Sequence, residues 1–150
     1  MRFKFAVALI GALFWSMPAQ AENTVPPPVL QEILIKTTLL TFNDANLTGN
    51  YTVLHDKLAK LFRDKITPDG LKAAFKSIAD QKADLGLISA MPPVASSEAK
   101  INAARGSLEL RGYFATKPSR VTHELDFLPS EGQWKPALID VRIRPQTAEK

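Results

Sequence analysis

Cysteine is absent from this 150-residue sequence, which excludes disulfides, thiolate metal sites, a cysteine nucleophile and a lipid-bearing cysteine. Histidine is scarce, with two residues, and tryptophan and tyrosine also number two each. No apolar run reaches the roughly 18 residues that a spanning helix needs. There is no Gly-x-Ser-x-Gly, no His-Glu-x-x-His, no Walker loop and no dinucleotide fingerprint, so no recognised catalytic motif is at hand. Internal repeats are missing as well. What remains, 45% hydrophobic and 23% charged, fits one ordinary globular domain.

The amino terminus reads as a targeting segment. Met1 to Lys4 is a short cationic stretch, Phe5 to Trp15 is uncharged and apolar, and Ala19-Gln20-Ala21 is the small-residue pattern of signal-peptide cleavage. Residues 1–21 are therefore expected to be removed by cleavage after Ala21. Arg2 and Lys4 leave with them, so the formal charge falls from +4 to +2, 17 basic side chains against 15 acidic. A charge this small, without a Lys/Arg cluster, gives no electrostatic reason for nucleic acid as a partner. The expected location is extracytoplasmic, a bacterial periplasm, with no stable membrane span after cleavage. There the two sequons, Asn46-Leu47-Thr48 and Asn50-Tyr51-Thr52, read as accidental rather than glycosylated.

Residues 22–28 end in three prolines and read as an extended leader. A single domain then covers 29–144, followed by a polar tail, 145–150. Val29 to Ala45 has helical spacing, with Leu30, Ile33, Leu34, Leu40 and Phe42 giving so broad an apolar surface that this helix should be central. Tyr51, Leu54, His55, Leu58, Leu61 and Phe62 form one stripe of a second helix running to Arg63. Thr67 and Pro68 open a third helix, with Leu71, Ala74, Phe75, Ile78 and Ala79 inward and a stop near Gln81. Lys82 to Arg105 lacks a clear period. Leu85 to Ile88 reads as a short strand and Ala99 to Ala103 as an edge strand, around the breaker Pro92-Pro93.

From Gly106 the period becomes two. Leu108, Leu110 and Phe114 alternate with polar residues over Ser107–Phe114. Val121, His123, Leu125 and Phe127 do so over Arg120–Leu128, and Ala137, Ile139, Val141 and Ile143 over Ala137–Arg144. Three amphipathic strands joined by short turns predict an antiparallel meander with one dry face. Helices first and strands afterwards give an α+β class, the helices stacked on that face.

Three stretches carry a family resemblance. Phe42-Asn43-Asp44-Ala45 with Gly49-Asn50-Tyr51 and Leu54 resembles a helix-turn-helix junction. The capped third helix with Leu71 and Phe75 is the second, and Gly132-Gln133-Trp134-Lys135 leading into Ile139-Asp140-Val141 resembles a turn before a last strand. Together they resemble the nuclear transport factor two-like superfold, which includes ketosteroid isomerase and scytalone dehydratase. The resemblance implies three amino-terminal helices on a curved antiparallel sheet, cone-shaped (cystatin-like), with an internal cavity and a homodimer through the outer sheet face. It implies no particular activity, because the fold hosts isomerases, dehydratases, ligand binders and interaction modules.

The candidates for chemistry are few. His55 and His123 both fall on expected dry faces and could act as acid and base in an interior, with Tyr51 as hydrogen-bond donor. The simpler reading of each is a partly buried histidine satisfied by a backbone carbonyl or by Tyr51, one turn before His55. Tyr51, His55, Phe75, Leu110, His123 and Phe127 are the candidate cavity lining. Glu109, Glu124, Asp126 and Asp140 share the wet side with Arg111, Arg142 and Arg144, so cross-strand ion pairing explains them better than a metal site. Tyr113, Trp134 and Leu138 also fall on that side and are the candidate interface; a bulge would move Trp134 inward.

The expected function is an exported domain that binds an apolar small molecule or an envelope protein without catalysis and without a cofactor or metal. The alternatives are a cofactor-free isomerase, dehydratase or hydrolase using the two histidines, or an envelope interaction protein with a solid core.

Overall fold

The structure, a computed structural model, describes residues 24–145. The expected signal peptide, its cleavage after Ala21 and the tail from residue 146 lie outside the described residues. Within 24–145 the chain is α+β, five α-helices and one 3-10 helix followed by a five-stranded antiparallel sheet. No helix among the described residues is long and apolar enough to cross a membrane.

Helix α1 (Pro28–Thr48) starts with proline at its first position, where the missing N–H costs nothing. It runs beyond the expected Ala45 and stops at Gly49, whose φ of 70° lets its N–H donate to the Ala45 carbonyl. Its buried side is Ile35, Leu39, Phe42 and Ala45, whereas Leu30 and Ile33 are about half exposed. The helix is apolar on nearly every side, so its sequence could not say which side the sheet would cover. Asn43 ties α1 to the following loop. Its Oδ1 accepts from the Leu85 N–H at 2.8 Å, and its Nδ2 donates to Asp84 Oδ1 at 3.1 Å.

That tether corrects the expected strand at Leu85–Ile88. The segment is a 3-10 helix, Gly86–Ala90, with Leu85 and Ile88 buried three residues apart on one side. Asp84 starts it by accepting from the Gly86 N–H, and these bonds hold the Asp84 carboxyl below its ordinary range.

The expected second helix is two, α2 (Thr52–Lys57) and α3 (Lys60–Arg63). Leu58 is extended between them, and the Ala59 N–H donates to the Pro136 carbonyl of the sheet at 2.8 Å instead of continuing the helix. This break takes Leu61 and Phe62 off the apolar stripe and leaves them exposed. The third helix also divides, at Phe75, into α4 (Pro68–Ala74) and α5 (Lys76–Ala79). Thr67 caps α4 by accepting from the Gly70 N–H at 3.0 Å.

The sheet order is β1–β3–β4–β5, with β2 also on β3. The long strands are β3 (Ser107–Phe114), β4 (Ser119–Ser130) and β5 (Gln133–Pro145). Leu108, Leu110, Phe114, Val121, His123, Leu125 and Phe127 are all buried, the dry face that the alternation predicts. The outer edge of β3 carries two short pieces, β1 (Val94–Ala95) and β2 (Lys100–Asn102), so the edge is interrupted at residues 96–99.

Glu131 and Gly132, both at positive φ, join β4 to β5, as a two-residue hairpin turn requires. Arg63 and Lys135 grip the Glu131 carboxylate. Further along, Asp126 faces Leu138 but Phe127 faces Pro136, which leaves Ala137 as the extra residue of a bulge.

Replacing Asn43 by alanine should strip the buried Leu85 N–H of its partner and cost roughly 1–3 kcal/mol. Urea unfolding checks this; an unchanged midpoint would contradict the tether.

Candidate functional site

Because β2 does not continue directly from β1, no strand covers the middle of β3 on that edge. A cavity of about 210 Å³ opens there, between the first turns of α1 and the sheet. Ile35 and Gln31 line it from the helix, Val94 and Ala99 from the interrupted edge, and Leu110 and His123 from the dry face. Three other depressions, of about 320 to 380 Å³, are more open to solvent.

The single titratable side chain that the dry face contributes to this cavity is His123. It sits mid-strand, opposite Gly112 on β3 and Val141 on β5, and is 1% exposed. Neither ring nitrogen has a hydrogen-bond partner among the described residues. The Phe114 ring lies 5.8 Å away, tilted by 49°.

Glycine at 112 is what leaves the imidazole room. A β-carbon there would stand 3.1 Å from His123 Nε2 and 2.4 Å from the Val94 carbonyl oxygen. Any side chain would therefore push both the ring and β1 away.

Burial, and secondly the charge of Arg111, lower the His123 pKa from 6.5 to about 4. The Arg111 guanidinium itself is engaged. It donates to Asp126 Oδ1 at 2.5 Å and to the Leu125 carbonyl at 2.7 Å, and it pairs with Glu124 at 3.6 Å. His123 is thus a neutral imidazole at ordinary pH, able to donate one hydrogen bond and accept another. As a general base it is weak, because effective proton transfer needs a pKa near the working pH.

His55 is not brought to this cavity. Its Nε2–H donates to the Ile66 carbonyl at 2.8 Å, with the Arg63 carbonyl at 3.1 Å, and Nδ1 faces Asp56 at 3.4 Å. The break at Leu58 folds α3 back beside the ring, so backbone satisfies it and it acts as a tie between helices. Tyr51 is equally occupied, its hydroxyl donating to Asn46 Oδ1 at 2.6 Å across the first helix junction. Burial pushes its pKa up.

Phe75 packs edge-on against Phe42 at 4.9 Å and stacks on Tyr51 at 6.4 Å, inside the helical layer. Phe127 faces a different groove, shared with Leu34 and Trp134. Of the six candidate lining residues, Leu110 and His123 line the cavity; Tyr51, His55, Phe75 and Phe127 do not.

The candidate interface also divides. Trp134 is turned inward by the bulge at Ala137, half-buried and packed on the core, so it leaves the outer face. Tyr113 remains there with the Arg120 guanidinium 4.4 Å above its ring. Leu138 is 42% exposed and shares a groove with Leu61 and Phe62.

The strand carboxylates are ion-paired, Glu109 with Arg105, Asp126 with Arg111, and Glu124 and Asp140 with Arg142. Glu109 and Asp126, expected in water, are nevertheless buried, because the long arginines lie over them. Among the described residues no three His, Asp or Glu side chains come together as a metal site.

Gln31, Ile35, Val94 and Ala99 line the site without having been singled out by the sequence. Gly112 carried a usable signal, a glycine interrupting an alternating strand, which often marks a close approach.

Stability should register the His123 burial directly. The unfolded ring binds a proton below pH 6.5 and the folded one only near 4. The contribution is therefore complete above pH 6.5 and lost as pH falls towards 4, by roughly 3 kcal/mol. Glu131, lowered to about 2 from 4.5, adds a loss of its own as pH falls below about 4.5, so the slope between pH 7 and 5 is the histidine's. Chemical unfolding between pH 7 and 4 should show this slope, and His123→Leu should flatten it; an equal slope in the variant would contradict the assignment. Comparison of the chain with protein-family models, curated proteins and solved structures finds no match to any of the three.

Proposed function

We propose that this chain is an exported periplasmic domain that holds a small apolar molecule in the cavity between α1 and the sheet, without acting on it chemically. Its place outside the cytoplasm rests on residues 1–21, with their cationic start, apolar stretch and Ala-x-Ala ending. The α+β order agrees with a nuclear transport factor two-like fold, in which an enclosed space beside the sheet is a common ligand site.

The observation that carries the reading is the cavity itself. At about 210 Å³ it is larger than the roughly 150 Å³ that admits benzene in a protein core. It is smaller than the 300 Å³ or more typical of drug-sized ligands. Ile35, Val94, Ala99 and Leu110 offer apolar wall to a compact hydrocarbon body, while Gln31, Glu32, Ser97 and Arg111 add polar groups to the lining. Catalysis is the weaker reading for two reasons. The two histidines occupy separate parts of the fold, and His123 has no carboxylate to orient it.

Benzene is the simplest probe. Followed by amide NMR, it should shift the signals of Ile35, Val94 and Leu110. Ala99→Phe, which fills the space with a ring of the protein's own, should abolish those shifts. No response of the wild-type protein to saturating benzene would contradict the proposal.

A further inference from the structure

Strand β5 is the last in the sheet order, and which of its backbone groups face outward follows from the opposite edge. There the Ser96 N–H donates to the Arg111 carbonyl at 3.0 Å, so Arg111 turns its backbone bonds away from β4. Glu124, which pairs with Arg111 across the ladder, therefore bonds to β5 at Asp140. By the same alternation Ile139, Val141 and Ile143 turn their N–H and C=O groups outward. Among the described residues no group bonds to them.

An open edge of this kind is a template for another strand, and proteins blunt it with charge, proline or a cover. Here the cover stops early. The Ala59 N–H takes the outward Pro136 carbonyl, and from the bulge to Pro145 the edge is free of proline. The charges on this stretch are Asp140, Arg142 and Arg144, on the outer face with the exposed Leu138. Their order makes the stretch complementary to itself when it is run backwards. About an axis through Val141, Asp140 stands against Arg142 of the partner subunit and Arg142 against the partner's Asp140. On the inner face Val141 meets the partner's Val141, and Ile139 meets the partner's Ile143.

We infer that the free edge of β5 is an interaction surface for a second copy of this chain, the two strands pairing antiparallel about Val141 so that two sheets become one. This contact runs along the strand edge and not through the outer sheet face. In that register Ile139, Val141 and Ile143 all exchange their outward bonds with the partner. The Asp140–Arg142 pairs occupy the intervening sites, where side chains of paired strands come closest. The aliphatic stem of Arg144 lies along the exposed Leu138 of the partner subunit. Neighbouring registers are worse. An axis through Asp140 sets that carboxylate against its own counterpart, one through Arg142 sets arginine against arginine, and one through Ile143 sets Arg142 against the partner's Arg144. A second copy supplies the required order of side chains without any further condition.

Analytical ultracentrifugation of the purified protein over a wide range of concentration should show a monomer–dimer equilibrium. Asp140→Arg and Arg142→Asp each place like charges together on both sides of the axis, and each should weaken the dimer about tenfold. The double variant Asp140→Arg/Arg142→Asp restores opposite charges and should recover the dimer, which a general loss of stability would not do. Amide exchange locates the contact. In concentrated solution the N–H groups of Ile139, Val141 and Ile143 should exchange more slowly than in dilute solution, while those of Asp140 and Arg142, bonded to β4, stay slow in both.

A wild-type protein that stays monomeric at its highest soluble concentration would overturn the inference. So would a dimer indifferent to both single reversals, because it would use another surface such as the outer sheet face. Val141→Pro is an independent check, since it removes an N–H that the sheet itself does not use. It should abolish the dimer, and a dimer that survives it overturns the inference as well. The wild-type exchange pattern decides the matter even where a variant fails to fold.

Discussion

The burial of one side of α1 against the dry face of β3 and β4 is the contact on which the rest of the molecule depends. Leu39 and Phe42 from the helix, and Leu108, Phe114, Leu125 and Phe127 from the strands, are all fully enclosed. In a strand every second residue shares a face, so committing Val121, Leu125 and Phe127 to the interior commits His123 with them. A slip of one residue would bring Thr122 and Glu124 inside instead, and burying a carboxylate in place of Leu125 is unfavourable. The imidazole is thus held in the interior by register, and its lost hydration is offset by the apolar residues on either side of it.

That enclosure is what supports the proposed binding role. Gly112 gives the ring space, the interrupted edge between β1 and β2 gives the cavity, and burial keeps the ring neutral. A proton-transfer residue needs a partner that stabilises its charged form, and here the nearby charge is Arg111, which opposes it. The outer face follows the reverse logic. Arg105, Arg111 and Arg142 lie along carboxylates of neighbouring strands, so even the buried Glu109 and Asp126 are compensated. One sheet therefore presents a largely apolar wall that includes the His123 imidazole on one side, and arginines paired with carboxylates on the other.

The parity of β3, of β4 and of the second half of β5 was legible in the sequence, because a half-buried strand writes its pattern with period two. The bulge was not. One extra residue at Ala137 leaves no local signature, yet it turns Trp134 from the outer face to the core and buries Pro136. Helical periodicity failed where the partner was remote. The break at Leu58 depends on the Pro136 carbonyl, and the 3-10 helix at Gly86 on Asn43, each far away along the chain. In α1 the difficulty was the opposite, since Leu30 and Ile33 look as buriable as Ile35 and Leu39. For the site, His123 and Leu110 could be read from alternation, whereas His55 shared the right stripe and was claimed by backbone carbonyls instead. Cavities formed by an interruption, such as the gap at residues 96–99, arise from what is missing along an edge and have no residue pattern to announce them.

The central claim is that His123 is sealed, unpaired and uncharged in the wall of the cavity. A pH titration of its ring nitrogens by ¹⁵N NMR tests this most directly. The ring should stay neutral through pH 6 and change state with a midpoint of about 4. A midpoint at the ordinary value of 6.5 would mean that water reaches the imidazole, and would contradict the account.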